Sequence, residues 1–113
     1  MNSDYKYEQA WRQISHGQLP GAIELLKELL ANEPNNAMYH GTLAYCLLQQ
    51  MRIHAAEYEW KIALQLEPNQ PFLHSIYARI YFLQNKPKQA LAACDQALQL
   101  DPENVDVFEL KSD

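Results

Sequence analysis

A proline recurs every 34 residues along this chain, at Pro34, Pro68 and Pro102, and an acidic residue precedes each one. Three more series keep the same step and consist of small or apolar residues: Ala10, Ala44 and Ala78; Ala22, Ala56 and Ala90; and Leu30, Leu64 and Leu98. Chance could align one such series, but it does not place alanines, leucines and an acid-proline pair in one register. The chain is therefore expected to fold as a repeat, with one supersecondary unit per 34 residues.

Apolar residues recur within each unit at helical spacing rather than with the alternation of a strand. In the second unit Leu43, Leu47 and Leu48 mark one stripe, and Ala56 and Trp60 mark the next. Each acid-proline pair is expected to end the second helix of its unit. The pattern predicts seven helices, at approximately 4–16, 20–32, 36–50, 53–66, 70–84, 87–100 and 103–111.

Short turns join the two helices of each unit, and they include Gly17, Met51 and Asn85. Glycine and asparagine tolerate the left-handed backbone conformation that ends many helices. Met51 does not, and it is expected to cost about 1 kcal/mol if the second unit keeps the same backbone. Pro20 and Pro87 suit the first turn of the following helix, where a backbone N–H has no intrahelical partner.

The units resemble tetratricopeptide repeats, whose pattern is W-x2-L-G-x2-Y, then A-x3-F, then P. That pattern is matched in the second unit by Leu43, Ala44, Leu47, Ala56, Trp60, Ala63 and Pro68, and in the third by Tyr77, Ala78, Tyr81, Ala90, Cys94, Ala97 and Pro102. The first unit matches in its second helix, whereas its first helix is degenerate. The resemblance implies an all-α fold, a right-handed superhelix of three helix-turn-helix units at approximately 3–36, 37–70 and 71–104, followed by a short C-terminal helix.

The chain is acidic overall, with 9 Lys and Arg against 14 Asp and Glu and a formal net charge of −5. This balance argues against nucleic-acid binding, which depends on Lys and Arg contacts to phosphates. No run of about 18 apolar residues is present, so no membrane span is expected. The start, MNSDYKYEQA, has no basic region followed by an apolar stretch, and we predict a cytoplasmic protein.

Residues 105–113 are predicted to form a terminal helix or the start of a fourth unit, with Phe108 where the family has its tryptophan. A solenoid normally ends in a cap with a polar outer face, and these residues make a short one. We therefore expect either that the chain is a fragment of a longer repeat protein or that another subunit covers this end. A homo-oligomer formed through the C-terminal helix is one such arrangement.

In such a solenoid the first helix of each unit lines a concave face, and its outward residues form the natural ligand surface. The family's geometry places twelve residues in a predicted peptide-binding groove: Tyr7, Trp11, Met38, Thr42, Tyr45, Leu48, Gln49, Phe72, Ser75, Ile76, Arg79 and Phe82. Core packing is the alternative for each apolar member, and above all for Ile76, Phe82 and the neighbouring Leu83.

The groove is the better interpretation of the set as a whole, because Trp11, Tyr45 and Arg79 occupy one repeat position in successive units. Aromatic rings offer a large contact area at little cost in rotamer entropy, and a guanidinium can orient a peptide backbone or a carboxylate. We expect Trp11, Tyr45, Phe72 and Phe82 to act as apolar anchors and Arg79 as the orienting charge.

Relatives that hold the acidic tails of heat-shock chaperones use lysine, arginine and asparagine side chains on their first helices. The corresponding residues here are Tyr7, Trp11, Thr42, Phe72 and Ile76, and none carries a positive charge or an amide. The resemblance therefore implies a protein or peptide partner that is apolar rather than an acidic tail. Two alternatives stay open: a self-associating structural protein, and a small chaperone of the kind that serves bacterial secretion.

No catalytic or metal-binding arrangement is evident in the sequence. His40 and His74 occupy equivalent positions in consecutive units, roughly 10 Å apart if neighbouring helix pairs stack normally, and no acid or cysteine accompanies them at ligand spacing. Cys46 and Cys94 are predicted to be small core residues. Acids of the second helices, such as Glu59, are predicted to lie on solvated faces. We expect a protein that is not an enzyme and that takes no cofactor.

Overall fold

The computed structural model describes residues 3–100. Within that range the chain forms six helices and no strand: α1 Ser3–Ser15, α2 Leu19–Asn32, α3 Ala37–Gln49, α4 Ile53–Leu66, α5 Pro71–Leu83 and α6 Pro87–Leu100. Each predicted helix from 4–16 to 87–100 agrees with its counterpart to within one residue at either end. The predicted helix at 103–111 lies outside the described residues. The fold is an all-α helical-repeat superhelix, as predicted.

Local backbone chemistry sets the limits of the helices. Pro71 is the first residue of α5, where its missing N–H costs nothing. Asn36 caps α3, since its side-chain oxygen accepts a hydrogen bond from the backbone N–H of Tyr39 at 3.1 Å. Glu33, which precedes a proline, ends α2 by donating its N–H to the carbonyl oxygen of Leu29 at 2.9 Å. The two acid-proline pairs within residues 3–100, at Pro34 and Pro68, therefore follow the ends of second helices, as the sequence predicts.

The turn inside each unit contains one residue with a left-handed backbone conformation, and this residue stands at the same repeat position in all three units. Gly17, Met51 and Asn85 have φ values of 74°, 61° and 62°. Glycine adopts this conformation without strain and asparagine does so readily, but methionine pays the steric cost of its Cβ. The second unit therefore keeps the backbone of the other two despite an unfavourable residue.

Small residues let the helices of each pair approach closely. The two alanine series of the repeat are all 5% exposed or less: Ala10, Ala44, Ala78, Ala22, Ala56 and Ala90. Trp60 fills the larger space between α4 and α5. Its indole N–H donates to the carbonyl oxygen of Leu73 at 2.8 Å, and its ring stacks on that of Tyr77 with centroids 4.0 Å apart. Burial of this ring joins the second unit to the third.

Gly41 lies where α3 meets α5. A Cβ atom at this position would lie 2.6 Å from the Cδ2 methyl of Leu73, which is closer than side-chain carbons approach one another. Leu73 is itself fully buried, so its methyl group has little room to move. The absence of a side chain on Gly41 therefore sets how closely α3 and α5 pack, and both helices carry residues of the predicted groove.

Candidate functional site

Three rings from three different units meet on the concave face. Trp11 of α1, Tyr45 of α3 and Phe72 of α5 have centroids 5.6 Å (Trp11–Tyr45), 6.0 Å (Trp11–Phe72) and 6.2 Å (Tyr45–Phe72) apart. Tilted and edge-to-face pairs at these distances attract one another and bury apolar area. This ring triad connects the first unit directly to the third, and it fills the concave face where the rings meet.

Four predicted groove residues lie below the surface of the concave face. Their exposed fractions are 0% for Thr42, 1% for Ile76, 4% for Ser75 and 5% for Leu48. Side chains this deeply buried offer almost no surface to a ligand. Ile76 in particular is packed in the core, which was the alternative to its place in the groove.

The hydroxyl of Thr42 links α1 to α3 inside the protein. It donates a hydrogen bond to the carbonyl oxygen of Met38 at 2.7 Å, and it lies 2.8 Å from the hydroxyl of Tyr7. Because a hydroxyl has one hydrogen, Tyr7 is the donor in the second bond. Tyr7 also packs against Tyr39, with ring centroids 5.1 Å apart. These polar groups are satisfied within the fold, and their role in the structure is to hold α1 in place.

Beyond the ring triad the groove opens at the C-terminal ends of α3 and α5. We call this cavity of about 290 Å³ the C-terminal recess, and its lining residues are Tyr45, Leu48, Gln49, Met51, Arg79, Phe82 and Leu83. Phe82 and Leu83 are 52% and 36% exposed, so large apolar surfaces face the solvent here. Among its lining residues Arg79 carries the charge. The C-terminal recess thus brings together four predicted groove residues that are at least partly exposed: Tyr45, Gln49, Arg79 and Phe82.

Sequence reasoning did not place Met51 at this site. Met51 lies in the turn after α3, its side chain is 62% exposed, and it lines the C-terminal recess. The signal was present in the repeat register, since a methionine stands where the other units have glycine and asparagine. A residue that is unfavourable for the backbone and exposed to solvent points to a role outside folding.

A second opening lies at the N-terminal ends of the first helices. This N-terminal recess has a volume of about 510 Å³ and is lined by Asp4, Tyr7, Asn35, Asn36, Ala37, Met38, Tyr39, Leu66 and Glu67. Its charged lining residues are the two acids, whereas the C-terminal recess is lined by a cation. The two ends of the concave face therefore differ in the sign of their charge.

His40 and His74 make equivalent hydrogen bonds at their positions in consecutive units, and His40 also bonds an acid that was predicted to be solvated. His40 Nδ1 lies 2.7 Å from Glu59 Oε1, and its Nε2 lies 2.7 Å from the carbonyl oxygen of Pro34. The prediction of a solvated Glu59 is therefore wrong, since its side chain is 18% exposed and is bonded across the helix pair. His74 Nε2 makes the equivalent bond to the carbonyl oxygen of Pro68, also at 2.7 Å.

The two cysteines are buried and form no disulfide with each other. Burial raises the pKa of the Cys46 thiol to about 11, so the thiol stays protonated at neutral pH and is a poor nucleophile. In the part of the chain that the structure describes, no group of three or more His, Cys, Asp or Glu side chains is placed to hold a metal ion. None of the helices within residues 3–100 is both long and apolar enough to span a membrane.

Comparison with known proteins gives a consistent result. Models of the tetratricopeptide repeat (TPR) match residues 7–71 and 78–104. No curated protein matches the sequence. Among solved structures, the TPR domain of Arabidopsis OM64 is 19% identical, with a TM-score of 0.84 over 97% of this chain and 91% of that one. The first TPR of Spaghetti (RPAP3), bound to the HSP90 peptide SRMEEVD, is also 19% identical, with a TM-score of 0.83 over 97% of this chain and 88% of that one.

The first TPR domain of human RPAP3 gives a TM-score of 0.85 at 19% identity, over 97% of this chain and 87% of that one. At such identities the likeness establishes the fold alone. The family models match most of the sequence, and they agree with the 34-residue register, the paired helices and the buried alanine series. The chain belongs to the tetratricopeptide repeat family.

Proposed function

We propose that this protein is a protein-interaction module that binds a peptide segment or a helix of a partner on its concave face. The observation that carries the proposal is the concentration of apolar and aromatic side chains there, from the ring triad to the exposed Phe82. Exposed apolar patches on a folded domain commonly mark interaction sites, and aromatic residues with arginine are enriched among binding hot spots. The structural neighbour bound to an HSP90 peptide supports the proposal, because it has the same fold.

The partner segment we propose is apolar rather than an acidic tail. At the positions where relatives place cationic and amide groups, Thr42 and Ile76 are buried here, and Trp11 and Phe72 contact each other. The peptide SRMEEVD in the neighbouring structure contains two glutamates and an aspartate. A surface without lysine or asparagine at these positions would not compensate for the desolvation of such a cluster of acids.

The test uses a displayed peptide library selected on the full chain, followed by affinity measurement by fluorescence anisotropy. The selected peptides should bind the double variant Trp11→Ala, Tyr45→Ala at least 30-fold more weakly, which corresponds to about 2 kcal/mol or more for hot-spot rings. The matched control is Tyr5→Ala, Tyr58→Ala, which removes two aromatic side chains that are 52% and 67% exposed and that line neither recess.

The control variant should bind with the affinity of the unchanged protein. Circular dichroism establishes whether each variant keeps its helices, since the rings of Trp11 and Tyr45 also contact each other. Peptides that bind the helical double variant undiminished would exclude the concave face as the binding surface.

Self-association is the second candidate. Phe82, Leu83 and Leu91 are 52%, 36% and 51% exposed, which leaves apolar surface for a second copy of the chain. Sedimentation velocity over a wide range of concentrations separates the two functions. A monomer at low micromolar concentration favours the peptide-binding module, whereas a stable oligomer whose formation buries Phe82 favours the assembly function.

A further inference from the structure

We infer that the C-terminal recess binds one large apolar side chain of a partner segment together with the carboxylate of a neighbouring Asp or Glu in that segment. Met51 forms the lip of this site and contacts the bound side chain. The inference rests on the proposed function and narrows it to one part of the concave face. It is carried by the backbone of Met51, the charge of Arg79 and the size of the recess.

The backbone of Met51 gives the first argument. Its φ of 61° matches the 74° of Gly17 and the 62° of Asn85 at equivalent turns. A left-handed conformation disfavours a side chain such as that of methionine by about 5- to 30-fold. The Met51 side chain is 62% exposed, so core packing does not offset this cost. A flexible thioether that lines a recess is well suited to cover an apolar ligand group.

Charge complementarity gives the second argument. The recess is lined by Arg79, with the amide of Gln49 beside it, although the chain has a net charge of −5. The N-terminal recess is lined by Asp4 and Glu67. An anionic group of a ligand is therefore attracted to the C-terminal recess and repelled from the opposite end of the concave face. A single carboxylate next to an apolar side chain complements both the positive charge of Arg79 and the apolar side chains that line the recess.

The size and closure of the recess give the third argument. Its volume of about 290 Å³ is at the lower end of the range of ligand pockets, about 300–1,000 Å³. This space suits one large side chain and its neighbour rather than a long segment. Tyr45, which belongs to the ring triad, lines the recess on the side of Trp11 and Phe72. The exposed apolar side chains of Phe82 and Leu83 form the outer wall.

The test uses two blocked peptides, acetyl-Gly-Gly-Leu-Glu-Gly-Gly-amide and the same peptide with glutamine in place of glutamate. Nuclear magnetic resonance titration of the full chain follows the methyl group of Met51 and the Nε–H of Arg79. We expect saturable shifts of both signals. The glutamate peptide should bind about three- to five-fold more tightly than the glutamine peptide, because its carboxylate meets a partly exposed cation.

Two variants separate ligand contact from folding. Arg79→Gln should make the two peptides bind equally. Met51→Asn should weaken both peptides while the urea midpoint of unfolding stays the same or rises, because Asn85 occupies the same turn at the same φ. The reciprocal control is Asn85→Met, which places a methionine in a turn that does not line the recess. This control should lower the urea midpoint and leave peptide binding unchanged.

Several results would overturn the inference. They are the absence of saturable binding by the unchanged protein, equal binding of its two peptides, and a Met51→Asn variant that unfolds more easily. Library-selected peptides that need Trp11 but are indifferent to Met51→Asn and Arg79→Gln would also refute it, and would leave the proposed concave-face function standing. The opposite pattern, in which the hexapeptide binds at the recess but no library peptide depends on Trp11, would support the recess and count against the wider groove.

Discussion

His40 of α3 joins α4 to the turn between the first and second units, and its contribution to stability can be measured. Its two ring nitrogens lie 2.7 Å from Glu59 Oε1 on α4 and 2.7 Å from the carbonyl oxygen of Pro34 in the turn before α3. A carboxylate and a carbonyl oxygen both accept hydrogen bonds, so the two bonds coexist when the ring carries both protons. The bonded side chains are 12% and 18% exposed, which limits screening of this contact by water.

The expected coupling between His40 and Glu59 is about 1–2 kcal/mol. This exceeds the 0.2–1 kcal/mol or so of exposed ion pairs, and it lies near the low end of hydrogen bonds to charged groups. A double-mutant cycle with His40→Ala and Glu59→Ala isolates the term, with free energies of unfolding taken from urea titrations at one slightly acidic pH. For a domain of this size each kcal/mol shifts the melting temperature by about 4–8 °C.

The third unit is an internal control, because it has the histidine without the acid. His74 bonds the carbonyl oxygen of Pro68, and Ala93 stands at the position of Glu59. His74→Ala should therefore cost about 1 kcal/mol, less than His40→Ala. Ala93→Glu should introduce the missing coupling, since Ala93 and His74 line one cavity of about 330 Å³. A double-mutant cycle that is additive to within about 0.3 kcal/mol would show that His40 and Glu59 are not coupled.

Three further substitutions test the packing. Gly41→Val should cost about 1–3 kcal/mol in thermal denaturation, because its side chain would overlap the buried methyl group of Leu73. Trp60→Phe should cost about 1–3 kcal/mol in urea titrations, through the lost hydrogen bond to Leu73 and the lost ring area. The raised pKa of Cys46, about 11 against an ordinary 9.0, stabilises the fold fully below pH 9 and less as the pH rises toward 11. Cys46→Ala should flatten that alkaline decline in the urea midpoint, and iodoacetamide should label Cys46 faster in urea than in the folded protein.

The helices were predictable because their signals are local. A proline restricts the residue before it and lacks an N–H, so Pro34 and Pro68 indicate the ends of α2 and α4 whatever the tertiary structure. The buried alanines were predictable for a related reason. Residues such as Ala22 and Ala56 meet the same neighbours in every unit, and any larger side chain would push the paired helices apart.

The contacts between units were not predictable in the same way. A period of 34 residues gives the order of the helices, but it does not give the distances between α1, α3 and α5. Those distances depend on particular side chains, among them Gly41 and Leu73. The meeting of Trp11 with Phe72 and the burial of Ile76 therefore emerged from the structure. The hydrogen bond between Glu59 on α4 and the imidazole of His40 on α3 also emerged only from the structure.

Equivalent positions of the three units fall into two groups. At some positions packing between helices requires the same residue in every unit, and at others the residue differs from unit to unit. Where the neighbours are equivalent, the residue is the same, as in the alanine series of the helix pairs. The concave position occupied by Trp11 and Tyr45 changes to Arg79 in the third unit, although the backbone there is still helical. The turn position changes to Met51 against the preference of its backbone. Both departures line the C-terminal recess. Divergence inside a strict register is therefore the strongest support, within this one sequence, for the binding site that we propose at the C-terminal recess.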